Sequence, residues 1–184
     1  MKSRLPVRGR SVALAALAAS LLAVGATRTA TADGGGFAAE PAALAAPVAK
    51  AAMTPDRRTA VAPAGAPPQV VAAIAAANRI TRKPYKWGGG HGRWRDSGYD
   101  CSGAVSYVLH AARLLGRARD SSGLMSYRAS GRGAWITVHA NRGHAYVTIA
   151  GLRFDTSGRG EEGPRWRLEP HSGRGYVARH PWGL

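Results

Sequence analysis

Residues 98–116 read GYDCSGAVSYVLHAARLLG, and they predict an amphipathic helix that begins at a cysteine. Asp100 is a residue type that caps helix N-termini, so the helix is expected to begin near Cys101. Gly116 is a suitable stop. Apolar residues recur at helical spacing along one face between these ends, at Val105, Val108, Leu109, Ala112 and Leu115. The stretch therefore places Cys101 at the N-terminus of a helix.

The segments on either side predict the rest of the fold. An earlier helix is expected from Gln69 to Thr81, since Pro67 and Pro68 precede a helical apolar pattern that stops before Pro84. A glycine-rich loop joins the two helices. After a loop at about 117–132, the apolar period changes to two, which predicts strands over 134–140, 144–149, 152–156 and 175–179. Helices followed by an antiparallel meander indicate an α+β domain.

The N-terminal part predicts export. Residues 1–32 combine a basic start, an apolar run at 12–24 and a small-residue exit, which are the parts of a secretory signal peptide. The apolar run is shorter than the ~20 residues of a membrane-spanning helix. An uncleaved membrane anchor is the alternative. Residues 33–68 are rich in Ala, Pro and Gly and predict a disordered linker, which leaves 69–184 as one domain. We therefore expect a secreted protein of the cell wall or periplasm, with no stable membrane insertion after signal cleavage.

The chain is strongly basic, with a formal net charge of +16. Residues 1–32 hold five basic and no acidic residues, so most of this charge lies beyond them. A large excess of basic over acidic residues favours polyanionic partners. For an exported protein, anionic wall polymers are more available than nucleic acid. Because the arginines are scattered rather than gathered in one tract, a merely solvated basic surface is the alternative.

Cys101 is the only cysteine, which excludes an intramolecular disulfide. An unpaired thiol in a secreted chain either links two chains or carries chemistry, and a buried, inert cysteine is the alternative. Unpaired backbone N–H groups at a helix N-terminus favour the thiolate, so Cys101 is the candidate nucleophile. It needs an imidazole to accept its proton.

Six histidines are candidates for that base, and each is otherwise a surface histidine. His110 lies too far along the second helix, and three others lie in the glycine-rich loop or the irregular tail (His91, His171 and His180). His139 and His144 lie on predicted strands, which hold a ring rigidly. His144 is favoured, because it begins a strand directly after Gly143.

Three motifs resemble those of the NlpC-type (NlpC/p-sixty) peptidase family. They are Pro84-Tyr85-Lys86-Trp87-Gly88-Gly89, Asp100-Cys101-Ser102-Gly103 and Gly143-His144-Ala145-Tyr146-Val147. The resemblance covers about residues 69–157. It implies a papain-like fold in which N-terminal helices pack on a central antiparallel sheet. It also implies a cysteine peptidase that cuts peptidoglycan stem peptides.

The resemblance implies a role for each matching residue. Cys101 corresponds to the nucleophile and His144 to the base. Tyr85 corresponds to a tyrosine whose hydroxyl lies close to the thiol. Asp100 and Ser102 correspond to residues that, in some members, hold the free amine of an L-Ala-γ-D-Glu stem. The loop from Gly90 to Tyr99 is longer than is typical of the family, and it either reshapes the substrate cleft or is a surface insertion.

Strand geometry favours Asp155 as the third catalytic residue. Family members have a polar residue about a dozen positions after the base, and Asp155 follows His144 by eleven. If Ala150 and Gly151 form a two-residue turn, Tyr146 faces Asp155 and His144 faces Ser157. Asp155 is then diagonal to His144 on one sheet face, where a carboxylate can orient the imidazole. Ser157 is the fallback.

These features predict a secreted thiol endopeptidase that acts on peptidoglycan stem peptides, at the γ-D-glutamyl-diamino acid bond. The alternatives are a non-catalytic wall-binding or polyanion-binding protein on the same fold, and a related amidase or acyltransferase. No metal-binding or nucleotide-binding motif occurs in the sequence, so no cofactor and no metal are expected. We expect no nucleic-acid partner and a monomer.

Overall fold

The computed structural model describes residues 49–56, 58–158, 163–168 and 172–184. The predicted signal peptide and residues 33–48 of the predicted linker lie outside them. Two helices precede most of the sheet: α1 spans Pro68–Ile80 and α2 spans Cys101–Ala111. Both begin at the predicted positions to within one residue. A pair of short strands, β1 (Ala52–Met53) and β2 (Ala60–Val61), comes before α1.

The β1–β2 hairpin lies within the stretch for which composition predicts a disordered linker. Ala51 and Ala60 are buried, and the Ala51 N–H donates to the Ala150 carbonyl at 2.8 Å. Asn78 of α1 makes side-chain hydrogen bonds with both backbone groups of Ala60. Ordered structure therefore begins before residue 69, because small buried side chains, Met53 packed against the core and a few hydrogen bonds dock this segment.

The helix α2 ends at Ala111, five residues before Gly116, the predicted stop. Arg113 takes a left-handed backbone conformation, with φ at 61°. The Leu114 N–H donates back to Leu109 and the Arg113 N–H to His110, which is the Schellman pattern of a helix C-terminus. An arginine stands here at the position that glycine usually takes.

Six strands of the described residues form one antiparallel sheet, in the order β3-β8-β4-β5-β6-β7. The strands are β3 (Ala129–Ser130), β4 (Ile136–Ala140), β5 (Ala145–Ile149), β6 (Leu152–Asp155), β7 (Arg165–Arg167) and β8 (Val177–His180). Ile149 pairs with Leu152 and Val147 with Phe154, which is the predicted register around the turn at Ala150 and Gly151. A short helix, α3 (Ser121–Leu124), and β3 occupy the predicted loop at 117–132. The predicted α+β class is confirmed.

The core lies between the helices and one face of this sheet. Val105 and Val108 of α2 are buried there, as are Val147 and Phe154 of the central strands. Successive side chains of a strand point to opposite faces, so the other face carries the alternate residues. That second face, which we call the open face, carries Thr137 and His139 of β4, Tyr146 and Thr148 of β5, and Arg153 of β6.

Candidate active site

Cys101 is the first residue of α2, and its side chain is half-buried. Asp100 caps the helix: its backbone is extended, and its Oδ1 accepts a hydrogen bond from the Gly103 N–H at 2.7 Å. The buried residues of the first turns, such as Ala104 and Val105, anchor this end of α2 in the core. The thiol is thus held where helix N–H groups stabilise a negative charge.

His144 is placed by the tight turn between β4 and β5. The Asn141 side-chain oxygen accepts hydrogen bonds from the N–H groups of Gly143 (2.9 Å) and His144 (2.8 Å). The Asn141 N–H donates to the His144 carbonyl at 2.9 Å. The imidazole Nε2 contacts the Asp155 side chain, and the Cys101 side chain is near enough to raise the pKa of His144. Because Nε2 contacts Asp155, the Nδ1 atom is the nitrogen available to the thiol.

Asp155 ends β6, and its side chain is buried. Its Oδ1 lies 2.8 Å from His144 Nε2 and accepts a hydrogen bond from the Ser157 N–H at 2.9 Å. Its Oδ2 accepts from the Ser157 hydroxyl at 2.6 Å. Ser157, the fallback for the third position, thus binds the carboxylate that contacts the imidazole. The structure brings Cys101, His144 and Asp155 together, with His144 bonded to the carboxylate and Cys101 near its ring.

The charges and hydrogen bonds around His144 favour a charged imidazole. Burial alone lowers the pKa of His144, but the hydrogen bonds and charges of Asp155 and Cys101 outweigh it and raise the pKa to about 9. Burial likewise raises the pKa of Asp155, and its bonds with His144 and Ser157 outweigh that effect and lower it to about 2. At neutral pH the site therefore holds an imidazolium between a carboxylate and the sulfur.

Asp100 and Ser102 lie on the other side of Cys101, and both are buried. The Ser102 hydroxyl donates to Asp100 Oδ1 at 3.2 Å, and the Gly88 N–H donates to Asp100 Oδ2 at 3.0 Å. His91 Nε2 reaches the same two side chains, at 3.1 Å from Asp100 Oδ1 and 3.2 Å from Ser102 Oγ. The two residues predicted to bind a substrate amine are therefore already in contact with an imidazole.

The longer loop of residues 90–99 is fixed to α2. The Trp94 ring stacks on His110, with centroids 3.8 Å apart and planes 4° apart. The Tyr99 hydroxyl donates to the Trp94 carbonyl at 2.7 Å, and Lys86 forms an ion pair with Asp96 at 2.7 Å. These contacts hold His91 beside Asp100, although the sequence alone places it in a mobile loop.

The third predicted binding residue, Tyr85, lies beside the start of α2. Its backbone forms a parallel bridge with Tyr99, two residues before Cys101, and its side chain is half-buried. His139, the alternative base, stacks on Tyr146 with ring centroids 4.4 Å apart and bonds Thr148 Oγ1 at 3.3 Å.

Within the described residues, no group of three or more His, Cys, Asp or Glu side chains is arranged to hold a metal ion. Across those same residues, no helix has the length and hydropathy needed to cross a membrane.

Two further aromatic residues adjoin His144. The Tyr176 ring meets the His144 ring edge-on, with centroids 6.3 Å apart, and the Tyr146 ring lies 6.5 Å from it. Strand alternation already placed Tyr146 on this face. Tyr176 lies in the strand predicted over 175–179, but the sequence offers no pairing that would bring this strand to His144. In the structure β8 begins one residue after Tyr176, at Val177.

Comparison with known proteins gives similarity at the level of structure. No family model and no curated protein matches the chain. The peptidoglycan hydrolase RipB from Mycobacterium tuberculosis matches over 60% of this chain and 64% of its own, with 22% identity and a TM-score of 0.48. An NlpC/P60 family protein from Bacillus cereus ATCC 10987 matches over 61% of this chain and 40% of its own, with 17% identity and a TM-score of 0.48. The match thus spans less than two thirds of either protein.

Proposed function

We propose that the protein is a cysteine peptidase in which Cys101 is the nucleophile, His144 the general base and acid, and Asp155 the residue that orients the imidazole. The observation that supports this proposal is the grouping of the three side chains, with the imidazole bonded to Asp155 and near Cys101 at a helix N-terminus. A sulfur beside an imidazole, with a buried carboxylate behind that imidazole, is the arrangement that activates a thiol for attack on a carbonyl.

The reaction proceeds in two halves. The Cys101 thiolate attacks the carbonyl carbon of an amide, and the carbonyl oxygen becomes an oxyanion. The N–H of Cys101, in the first turn of α2, donates to that oxyanion. The His144 imidazolium gives its proton to the leaving nitrogen, the C–N bond breaks, and a free amine departs from a thioester. His144, now neutral, takes a proton from water as the water oxygen attacks the thioester carbon. The C–S bond breaks, a carboxylic acid departs, and the Cys101 thiolate and the His144 imidazolium are regenerated.

We further propose that the substrate is a peptidoglycan stem peptide and that the bond cut is the γ-D-glutamyl-diamino acid amide. The three sequence motifs support this choice, since they resemble those of peptidases with this substrate. The signal-like residues 1–32 support action outside the cytoplasm, at the cell wall or in the periplasm. The basic charge supports contact with anionic wall polymers.

Defined muropeptides provide the test. The full-length chain is incubated with several stem types, and the products are identified by mass spectrometry. Endopeptidase action gives a new free amine on the diamino acid, and Cys101→Ala gives none. Unchanged muropeptides with every stem type, together with normal binding of Cys101→Ala to wall sacculi, would instead support a non-catalytic binding protein.

A further inference from the structure

A cavity of about 370 Å³ lies on the open face of the sheet. The open face provides His139 of β4, Tyr146 of β5, Arg153 of β6 and Arg167 of β7 to its lining, and the segments around the face add Lys50 and Arg132. Four of these six side chains are cationic. No carboxylate belongs to the lining among the described residues, so the cavity is an electropositive concavity.

In two arginines of the lining, one nitrogen has no hydrogen-bond acceptor among the described residues. In the described part of the chain, the buried Nε atoms of Arg153 and Arg167 have no hydrogen-bond acceptor. Arg167 donates from Nη2 to the Ser157 carbonyl, and Arg153 Nε is 3.7 Å from Asp155 Oδ2, an ion-pair distance. Both side chains are half-buried and line the cavity, so their guanidinium groups present positive charge to an occupant with acceptor oxygens.

Tyr146 adds a neutral donor to the lining. Burial, together with the nearby Tyr176 and Asp155, raises the pKa of Tyr146 to about 12. Its hydroxyl therefore stays protonated at neutral pH. His139 stacks on the Tyr146 ring, with the two ring planes 8° apart.

The cavity begins one side chain away from the catalytic pair. The Tyr146 ring centroid is 6.5 Å from that of His144, and Arg153 is the ion-pair neighbour of Asp155. An extended peptide advances about 3.3–3.6 Å per residue, so a group one to three residues from the scissile bond reaches the cavity.

We propose that this cavity is a carboxylate-binding subsite that takes a free carboxylate of the peptide attacked by Cys101. The inference rests on the proposed function, and it adds the part of the substrate that is recognised. Arginine guanidinium groups match a carboxylate with paired N–H donors. The small volume suits one such group rather than a polymer, and the position beside His144 makes that group part of the molecule being cut.

Binding measurements separate this subsite from catalysis. Stem peptides are prepared in pairs that differ only by a carboxamide in place of one carboxylate, and each is titrated calorimetrically into full-length Cys101→Ala. In the pair where the replaced carboxylate is the one that occupies the cavity, we expect the carboxamide form to bind about 10- to 100-fold more weakly. Adding Lys50→Gln and Arg132→Gln, both at exposed positions, should weaken binding of the carboxylate form about tenfold and leave the carboxamide form unchanged.

The matched control adds Arg79→Gln and Arg82→Gln, which remove two exposed charges outside the cavity. It should leave both affinities unchanged. Equal binding within every pair, or the same loss for both forms in the cavity variant, would overturn the subsite even if the active chain cuts the peptides. A carboxylate preference without any cleavage would support the subsite and overturn the proposed peptidase.

Discussion

At the scale of single side chains, His144 depends on neighbours from three parts of the chain. Asn141 positions its backbone, Asp155 bonds Nε2, and Cys101 of α2 raises the pKa of the ring. The pairing with Asp155 was predictable, because strand alternation and a two-residue turn determine which residues share a face. The contact of His91 with Asp100 was not, because it depends on how the 90–99 loop packs on His110.

The raised pKa of His144 predicts the alkaline limit of activity. The imidazolium must donate a proton to the leaving amine, so kcat/KM should fall as pH rises through about 9. Asp155→Asn removes the charge that raises this pKa but keeps an oxygen that accepts from Nε2. We therefore expect this variant to retain activity at neutral pH, with its alkaline limit at a lower pH. The measurement is the pH profile of kcat/KM.

Asp120→Asn is the matched control for that profile. Asp120 caps α3 through the Gly123 N–H, and asparagine caps equally well, so its profile should equal that of the unsubstituted chain. If activity of Asp155→Asn fell at the same alkaline pH as that of the unsubstituted chain, Asp155 would not control the charge of His144.

His91 predicts a substitution that improves binding of one substrate class. Because it contacts both Asp100 Oδ1 and Ser102 Oγ, it competes for the atoms predicted to receive a substrate amine. We expect His91→Ala to lower KM for stem peptides with a free N-terminal amine, and to leave KM unchanged for the N-acetylated forms. Steady-state kinetics on the two peptide forms tests this. A higher KM for the free-amine form would mean that His91 helps to bind it.

At the scale of elements, hydrogen bonds join the start of α2 to the glycine-rich loop, whereas the backbone conformation of Arg113 determines where the helix ends. The Asp100 N–H donates to the Gly89 carbonyl, and Asp100 Oδ2 accepts from Gly88. The start was predictable from the capping residue. The end at Ala111 was not, because Arg113 adopts a conformation that sequence patterns assign to glycine. The short α3 and β3 are likewise too brief to show a period.

Gly103→Ala should destabilise this junction. A Cβ at Gly103 would overlap the Gly89 carbonyl oxygen and lie 3.1 Å from Asp100 Oδ1, so backbone must move. We expect a loss of about 1–3 kcal/mol in the free energy of unfolding, measured by urea denaturation. Gly116→Ala is the control, since nothing lies within 4 Å of its Cβ and its φ is ordinary. Equal stability of the two variants would contradict the close packing of α2 on the loop.

At the scale of the whole molecule, Asn78 joins three segments that are far apart in sequence. Its Oδ1 accepts from the Ala60 N–H of β2 at 2.9 Å and from Trp166 Nε1 of β7 at 2.8 Å. Its Nδ2 donates to the Ala60 carbonyl at 2.9 Å. Asn78 of α1 thereby connects the β1–β2 hairpin to β7, a strand at the edge of the sheet. The sequence could not reveal this role, because a polar residue on a helix is ordinarily solvent-facing.

Asn78→Ala should therefore loosen the molecule beyond α1 itself. The substitution leaves the buried Trp166 N–H and the Ala60 backbone groups without partners, which costs about 1–3 kcal/mol for each buried group that finds no water. We expect a loss of about 2–4 kcal/mol in urea unfolding and faster hydrogen exchange at the Ala60 amide. Gln69→Ala removes an exposed amide from the same helix and should change stability by less than about 0.5 kcal/mol. If Asn78→Ala matched that control and the Ala60 amide kept its protection, the hairpin would be held by apolar contacts alone. A full loss would place β1 and β2 within the cooperative unit that carries Cys101 and His144.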